Sequence, residues 1–143
     1  FEFRIVNGSS NELINLGAEV AMSRNVTENG KSVRKFYPLE LERQSVTFFP
    51  LHWVIVHPIT EASPLFGQSQ ESLDASDAEF LILLTAVDET FFQTVHSRSS
   101  YKHHEVVWGA RFADLFIDTG DGMVSIDLRR LHEIEMADLP VRP

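Results

Sequence analysis

The side chains in this sequence that could do chemistry are its six histidines and a surplus of carboxylates. His103-His104-Glu105, with His96 upstream, carries donor types that a transition metal accepts. Consecutive residues of a strand point to opposite faces, however, so His103 and His104 do not readily share one ion, and a pair at a loop or strand end is the plainer reading. His52 and His57 flank Trp53 on opposite parities of one apolar segment and read as core or interface histidines with satisfied nitrogens. Asp88-Glu89 offers an acid and a base, but adjacency splays them and nothing in the sequence divides the roles, so the pair reads as a charged hairpin loop. Ser97-Arg-Ser-Ser100 sits in no strand-turn-helix elbow of the kind that exposes a nucleophilic serine. Gly120-Asp-Gly122 lacks the lysine and following helix of a phosphate loop, and the ordered oxygen ligands of a calcium loop, which leaves a turn. The chain has no cysteine, so disulfides, thiolate metal sites and a thiol nucleophile are excluded, which suits a reducing compartment. The expectation is a protein that is not an enzyme, with no cofactor and no metal site.

The elements that would position these residues are strands. Leu16, Ala18, Val20 and Met22 alternate with Gly17, Glu19, Ala21 and Ser23, the period of a half-buried strand. Asn29-Gly30 is a turn signal, and Val33, Tyr37, Leu39 and Leu41 share one parity beyond it, with Pro38 demoting the middle of that strand to an edge or a bulge. Ser45 to Ile59 reads as one aromatic and β-branched strand, apolar on both parities and bent at Pro50 and Pro58. Residues 61–77 collect Ser, Gln, Asp, Pro and Gly and read as a loop with one helical turn around Gln70 to Ala75. The uninterrupted run Phe80-Leu-Ile-Leu-Leu-Thr-Ala-Val87 restarts the core. A final hairpin is expected from Arg111–Ile117 and Met123–Leu128 around Asp118 to Gly122, followed by a weakly patterned acidic tail after Glu133. About eight or nine short strands without a long amphipathic helix predict an all-β, immunoglobulin-like antiparallel β-sandwich, as a single domain over residues 1–143.

At 143 residues and 43% hydrophobic the chain is large enough for one substantial core. Twelve basic against twenty-one acidic residues give a net charge of −9, which disfavours a nucleic-acid partner and favours gathering small cations. The longest stretch free of acidic and basic residues, Gln44 to Thr60, contains two histidines and two prolines and cannot serve as a membrane span. The sequence opens on Phe1 without a basic-then-apolar leader and enters a strand pattern at once, so a piece of a longer protein is expected.

Four segments occur in order: Val56-His-Pro-Ile-Thr-Glu-Ala-Ser-Pro-Leu65; Asp77-Ala-Glu-Phe-Leu-Ile; Thr94-Val-His-Ser-Arg-Ser-Ser-Tyr101 with Glu105-Val-Val-Trp-Gly-Ala-Arg-Phe112; and Arg130-Leu-His-Glu133. With Val6-Asn7 and the Thr27-Glu-Asn-Gly30 turn, they resemble the cytoplasmic C-terminal domain of inward-rectifier potassium channels, most of all the bacterial branch. The resemblance implies a homotetramer around a four-fold axis on the cytoplasmic side of the cell membrane, joined to transmembrane pore helices absent from this sequence. Potassium ions would pass through a water-filled vestibule. The family's hairpin that narrows this path maps to Thr85–Gln93, with Ala86, Val87 and Phe92 as candidates for the gate and Thr85, Asp88, Glu89 and Gln93 as its flanks. Ordinary core residues at strand ends are the alternative reading of Val87 and Phe92. Ala86 stands where a glycine is common in the family. Any regulation by anionic lipid would act through the linker preceding this domain.

Strongly rectifying members resemble one another in vestibule carboxylates that hold polyamines. Lys31, Thr47, Phe48, Phe49 and Thr85 occupy the corresponding places here, so weak polyamine block is expected. Two other readings stand beside this one. One is a soluble β-sandwich module without a pore, binding a protein through edge strands or exposed aromatics. The other is a small metal-dependent enzyme built on His96, His103 and His104.

Overall fold

A ribbon of two long antiparallel strands organises the molecule. The computed structural model describes residues 1–49 and 51–139, and among these it contains eleven strands and one short α-helix. They are β1 (Glu2–Val6), β2 (Leu13–Glu28), β3 (Lys31–Pro38), β4 (Ser45–Phe48), β5 (His52–Val56), α1 (Gln70–Ala75), β6 (Glu79–Asp88), β7 (Gln93–Lys102), β8 (Ala110–Phe112), β9 (Phe116–Asp118), β10 (Val124–Ile126) and β11 (Ile134–Met136).

The main sheet has the order β3-β2-β6-β7, and β4 shares with β3 the edge of β2 that faces away from β6. All its pairings are antiparallel. Alternation along β2 and β6 buries Leu16, Ala18, Val20 and Met22 together with Phe80, Ile82 and Ala86 on one face. That face packs against β1 and β5, whose Phe3, Trp53 and Ile55 join the same core cluster, so the fold is an all-β sandwich of immunoglobulin-like architecture. The Asn29-Gly30 signal becomes a two-residue hairpin loop with φ of 50° and 75°, the left-handed pair that such a loop needs. Pro38 closes β3 on the sheet edge, where its missing N–H costs no ladder bond. Ser69 and Ser72 form a reciprocal capping box over α1, whose Leu73 is buried.

Several elements differ from the sequence expectation. There are eleven strands rather than eight or nine, because three-residue pairings at the C-terminal end carry too little pattern to read. The segment Ser45–Ile59 is two strands: β4 pairs with β2, whereas β5 pairs with β1 in the other layer. The predicted bend at Pro50 lies outside the described residues. The predicted final hairpin is divided. β9 does pair with β10, but Ala110–Phe112 pairs instead with β11, formed by the acidic tail. Val33 shares its parity with buried Leu39 and Leu41 yet is exposed, since those leucines lie beyond the end of β3.

Arg4 of β1 fastens the C-terminal part to the sandwich. Its guanidinium donates to the carbonyl oxygens of Ala113, Arg130 (2.8 Å), Leu131 (2.7 Å) and Glu133 (3.4 Å) and lies over the Phe112 ring. Burial pulls the Arg4 pKa down, and the nearby Arg130 charge pulls the same way. No helix among the described residues is long and apolar enough to cross a membrane.

Candidate functional site

The hairpin β6–β7 is the site singled out by the sequence, and its register is unbroken from Glu79 opposite Lys102 to Asp88 opposite Gln93. Glu89 to Phe92 form the connecting turn. Successive residues of β6 alternate between the core and the outer face of the sheet. Ala86, 3% exposed, is packed into the core, whereas Thr85 and Val87 are half-buried on the outer face. Phe92 is 86% exposed and Phe91 beside it 64%. Phe92 also has φ of +51°, a left-handed conformation that costs a side chain with a Cβ about 1–2 kcal/mol.

Asp88 holds the turn in place. Its side chain is on the core side, 8% exposed overall, and accepts the Asn11 Nδ2 amide at 2.9 Å and the Thr90 backbone N–H at 2.8 Å. The Glu89 N–H donates to the Glu12 carbonyl oxygen, so the segment leading into β2 is stitched to the turn at two points. Thr85 Oγ1 lies 3.2 Å from His96 Nδ1 directly across the ribbon. Gln93 is exposed at the start of β7. Thus Asp88 serves as a turn anchor, a role the sequence reading of a charged loop pair missed. Asn11, 77 residues away in sequence, gave no local signal for it.

The remaining residues singled out by chemistry are placed as follows. His57 is buried, with Nδ1 2.5 Å from the Glu40 carbonyl oxygen and Nε2 2.7 Å from Ser63 Oγ, so both nitrogens are engaged as a core histidine requires. His52 is half-buried and meets the Phe116 ring edge-on. His103 and His104 lie on a 3-10 turn following β7 rather than on a strand, with their rings 5.3 Å apart and His103 Nδ1 3.5 Å from Asp74 Oδ1. Among the described residues, no group of three or more histidine and carboxylate side chains is placed to hold a metal ion. The Ser97-Arg-Ser-Ser100 segment is exposed along β7, at the edge of the main sheet.

An all-β sandwich carrying a long, tightly registered ribbon with an exposed aromatic turn is the class that fold and site define. The chain belongs to the family of the inward rectifier potassium channel C-terminal domain, which it matches over residues 1–143. It is 36% identical over 132 residues to the inward rectifier potassium channel Kirbac3.1 of Paramagnetospirillum magnetotacticum, covering 92% of this chain and 45% of that protein. It is 35% identical over 88 residues to the human inward rectifier potassium channel 4, covering 61% of this chain and 20% of that protein. It is 37% identical over 79 residues to the bovine ATP-sensitive inward rectifier potassium channel 12, covering 55% and 18%. The chain therefore spans less than half the length of these relatives.

Proposed function

We infer that this domain is the cytoplasmic part of a potassium channel, in which four copies surround the ion path below the membrane and the β6–β7 hairpins approach the axis. The observation that carries the reading is the hairpin turn of a chain matching this family over its whole length: it exposes two phenylalanines at the end of a rigid ribbon and holds one of them in a strained backbone conformation. Water-exposed aromatic rings have a reason to be there if identical rings face them. Four apolar side chains around an axis obstruct hydrated ions by excluding water, and a small displacement of the ribbon reopens the path. In this reading Phe92 and Val87 present the narrowing surface. Ala86 sets the depth of the ribbon by packing against the core, while Thr85, Glu89 and Gln93 flank the narrowing and Asp88 anchors it. The negative charge of the domain favours cations in the vestibule.

The chain has no cysteine, which makes the arrangement directly testable. Phe92→Cys in a cysteine-free parent channel should give disulfide-linked dimers on mild oxidation, independent of protein concentration. Val107→Cys, also exposed but on the segment after the 3-10 turn that follows β7, should not. Absence of Phe92 cross-links in a channel shown by its mass to be tetrameric would remove the hairpin from the axis.

A further inference from the structure

The dipeptide Asn-Gly occurs twice in the chain, at Asn7-Gly8 and Asn29-Gly30. It is the sequence in which an asparagine amide is most open to attack by the next backbone nitrogen, because glycine puts no Cβ beside that nitrogen. The structure separates the two. Asn29 is a left-handed residue, with φ of 50°, in the loop between β2 and β3. In that region ψ is near about +47°, which turns the following nitrogen almost opposite the Cβ across the Cα–C bond. The Asn29 side chain and the Gly30 nitrogen therefore point apart. Asn7, between β1 and β2, keeps a negative φ. Its Oδ1 accepts the Ser9 backbone N–H at 3.0 Å, and its Nδ2 donates to the Asn11 carbonyl oxygen at 2.8 Å. The first of these bonds closes a ring that runs through Cγ, Cβ, Cα and the main-chain carbon of Asn7 to the Gly8 nitrogen, and it keeps Cγ folded back toward that nitrogen. Gly8, Ser9 and Ser10 are exposed, so water has access to the loop.

We propose that Asn7-Gly8 is a site of spontaneous modification, where Asn7 deamidates to aspartate and isoaspartate and thereby loosens the loop that anchors the β6–β7 turn. The Gly8 nitrogen loses its proton to hydroxide and attacks the Asn7 Cγ. The N–Cγ bond forms, the Cγ–Nδ2 bond breaks, and Nδ2 leaves as ammonia. The Ser9 N–H, already on Oδ1, faces the negative charge that gathers on this oxygen during the attack. Water then opens the cyclic imide at either of its carbonyls, and no oxidant or reductant is needed. Both products have lost the Nδ2 donor and set a carboxylate, which only accepts, against the Asn11 carbonyl oxygen it served. Isoaspartate also lengthens the main chain by one atom. Asn11 is the residue whose amide holds Asp88 at 2.9 Å, and Glu12 beside it accepts the Glu89 N–H at 3.1 Å. A change at Asn7 thus reaches the turn through a single intervening residue. This chemistry is independent of whether the turn lies on an ion path.

The test incubates the full-length parent protein at mildly alkaline pH, follows the masses of the peptides spanning Asn7 and Asn29 after digestion, and marks the rearranged product with an isoaspartate-specific methyltransferase. In the folded protein Asn7 should convert at least about fivefold faster than Asn29, because misplacing the reacting atoms by about 1 Å costs up to about a hundredfold. In the urea-unfolded chain the two rates should converge. A smaller folded-state ratio, or the same ratio in urea, overturns the assignment. Gly8→Ala should slow conversion at Asn7 at least about tenfold by crowding the attacking nitrogen. It should leave the fold intact, since a Cβ there meets nothing within 4 Å, and an unchanged rate is the opposing result. In the converted fraction, separated by its added negative charge, amide protection at Glu89–Gln93 should fall at least about fivefold while Phe80–Leu84 keeps its protection. Equal protection of the turn in converted and unconverted protein overturns its link to Asn7.

Discussion

Replacing Asp88 by alanine removes two acceptors at once, the oxygen that takes the Asn11 amide at 2.9 Å and the one that takes the Thr90 N–H at 2.8 Å. Hydrogen bonds to an ionised group contribute about 1.5–3 kcal/mol each where they are shielded. Thr90 is exposed, so its N–H finds water after the change and its bond counts at the low end; Asn11 is half-buried and counts nearer the middle. Removing one carboxylate beside Glu12 and Glu89 relieves repulsion between partly solvated charges, worth less than about 1 kcal/mol. The net expectation is a loss of about 2–3 kcal/mol for Asp88→Ala and about 1 kcal/mol for Asp88→Asn, which keeps one acceptor. Urea unfolding of the chain measures the total, with an unchanged m-value showing that the folded state keeps its extent. Amide exchange locates it: protection should fall at Glu89–Gln93 and Asn11–Ile14 well before Phe80–Leu84. A loss for Asp88→Ala below about 0.5 kcal/mol, the scatter of ordinary surface substitutions, or exchange that rises evenly over the whole chain, refutes the anchoring argument.

Phe92→Gly should stabilise the chain by about 0.5–1 kcal/mol, since relief of the left-handed strain exceeds the added backbone entropy of glycine. Phe92→Ala, which keeps the strain, should not, and equal unfolding midpoints for the two would deny that strain exists there. Arg4→Met removes the donor to four carbonyl oxygens and should cost about 2–3 kcal/mol, with amide protection lost first across Ala113–Met136; uniform loss, or none, contradicts the clasp. Asp127 has its pKa lowered from 3.8 by its hydrogen bond to Arg129, and Asp121 is lowered likewise by Thr119. A carboxyl with a depressed folded pKa contributes order that is present above the unfolded value and lost as pH falls through the folded one. Amide protection at Thr119–Leu131, taken relative to the intrinsic exchange rate at each pH, should therefore be flat above pH 5 and fall only below about pH 4, and a midpoint near neutrality would assign it to another group.

What could be read from the sequence was whatever repeats at short range. The run Phe80–Val87 announced a core element, Asn29-Gly30 announced the turn between β2 and β3, and the polar stretch before Asp77 left room for α1 at the observed residues. Parity, however, says which residues share a face and not whether anything covers it. Val124, Ile126 and Leu128 do alternate, yet Val124 and Leu128 are exposed, because β9–β10 is a two-stranded flap. The pairing of β8 with the acidic tail depends on contacts about two dozen residues apart and on Arg4 near the other end of the chain, none of which leaves a periodic trace. Phe48 failed for the opposite reason: an aromatic in an apolar segment is expected inside, yet Phe48, at the end of the short strand β4, is 81% exposed.

The register also shows where the ladder is interrupted. From Glu79 opposite Lys102 to Asp88 opposite Gln93 the ribbon has no shift. Along β2 the pairing with β6 is continuous from Ser23 to Gly17, then slips by one residue before resuming at Ile14 and Leu13. Asn15 occupies this bulge with φ of 49°, and Gly17 just beyond it lies where an added Cβ would come 3.9 Å from the Gln44 carbonyl oxygen and 4.0 Å from that of Thr85. The extra residue returns Leu16 to the core while Ile14 stays on the outer face, so the bulge is what permits an apolar row outside and an apolar row inside within four residues. A regular strand would have forced one of them onto the wrong side. Ile14 and the Asp88 anchor thus lie on the turn side of the bulge and most of the sandwich core on the other, which makes the interrupted ladder at Asn15 the structural boundary between the turn end of the hairpin and the sheet behind it.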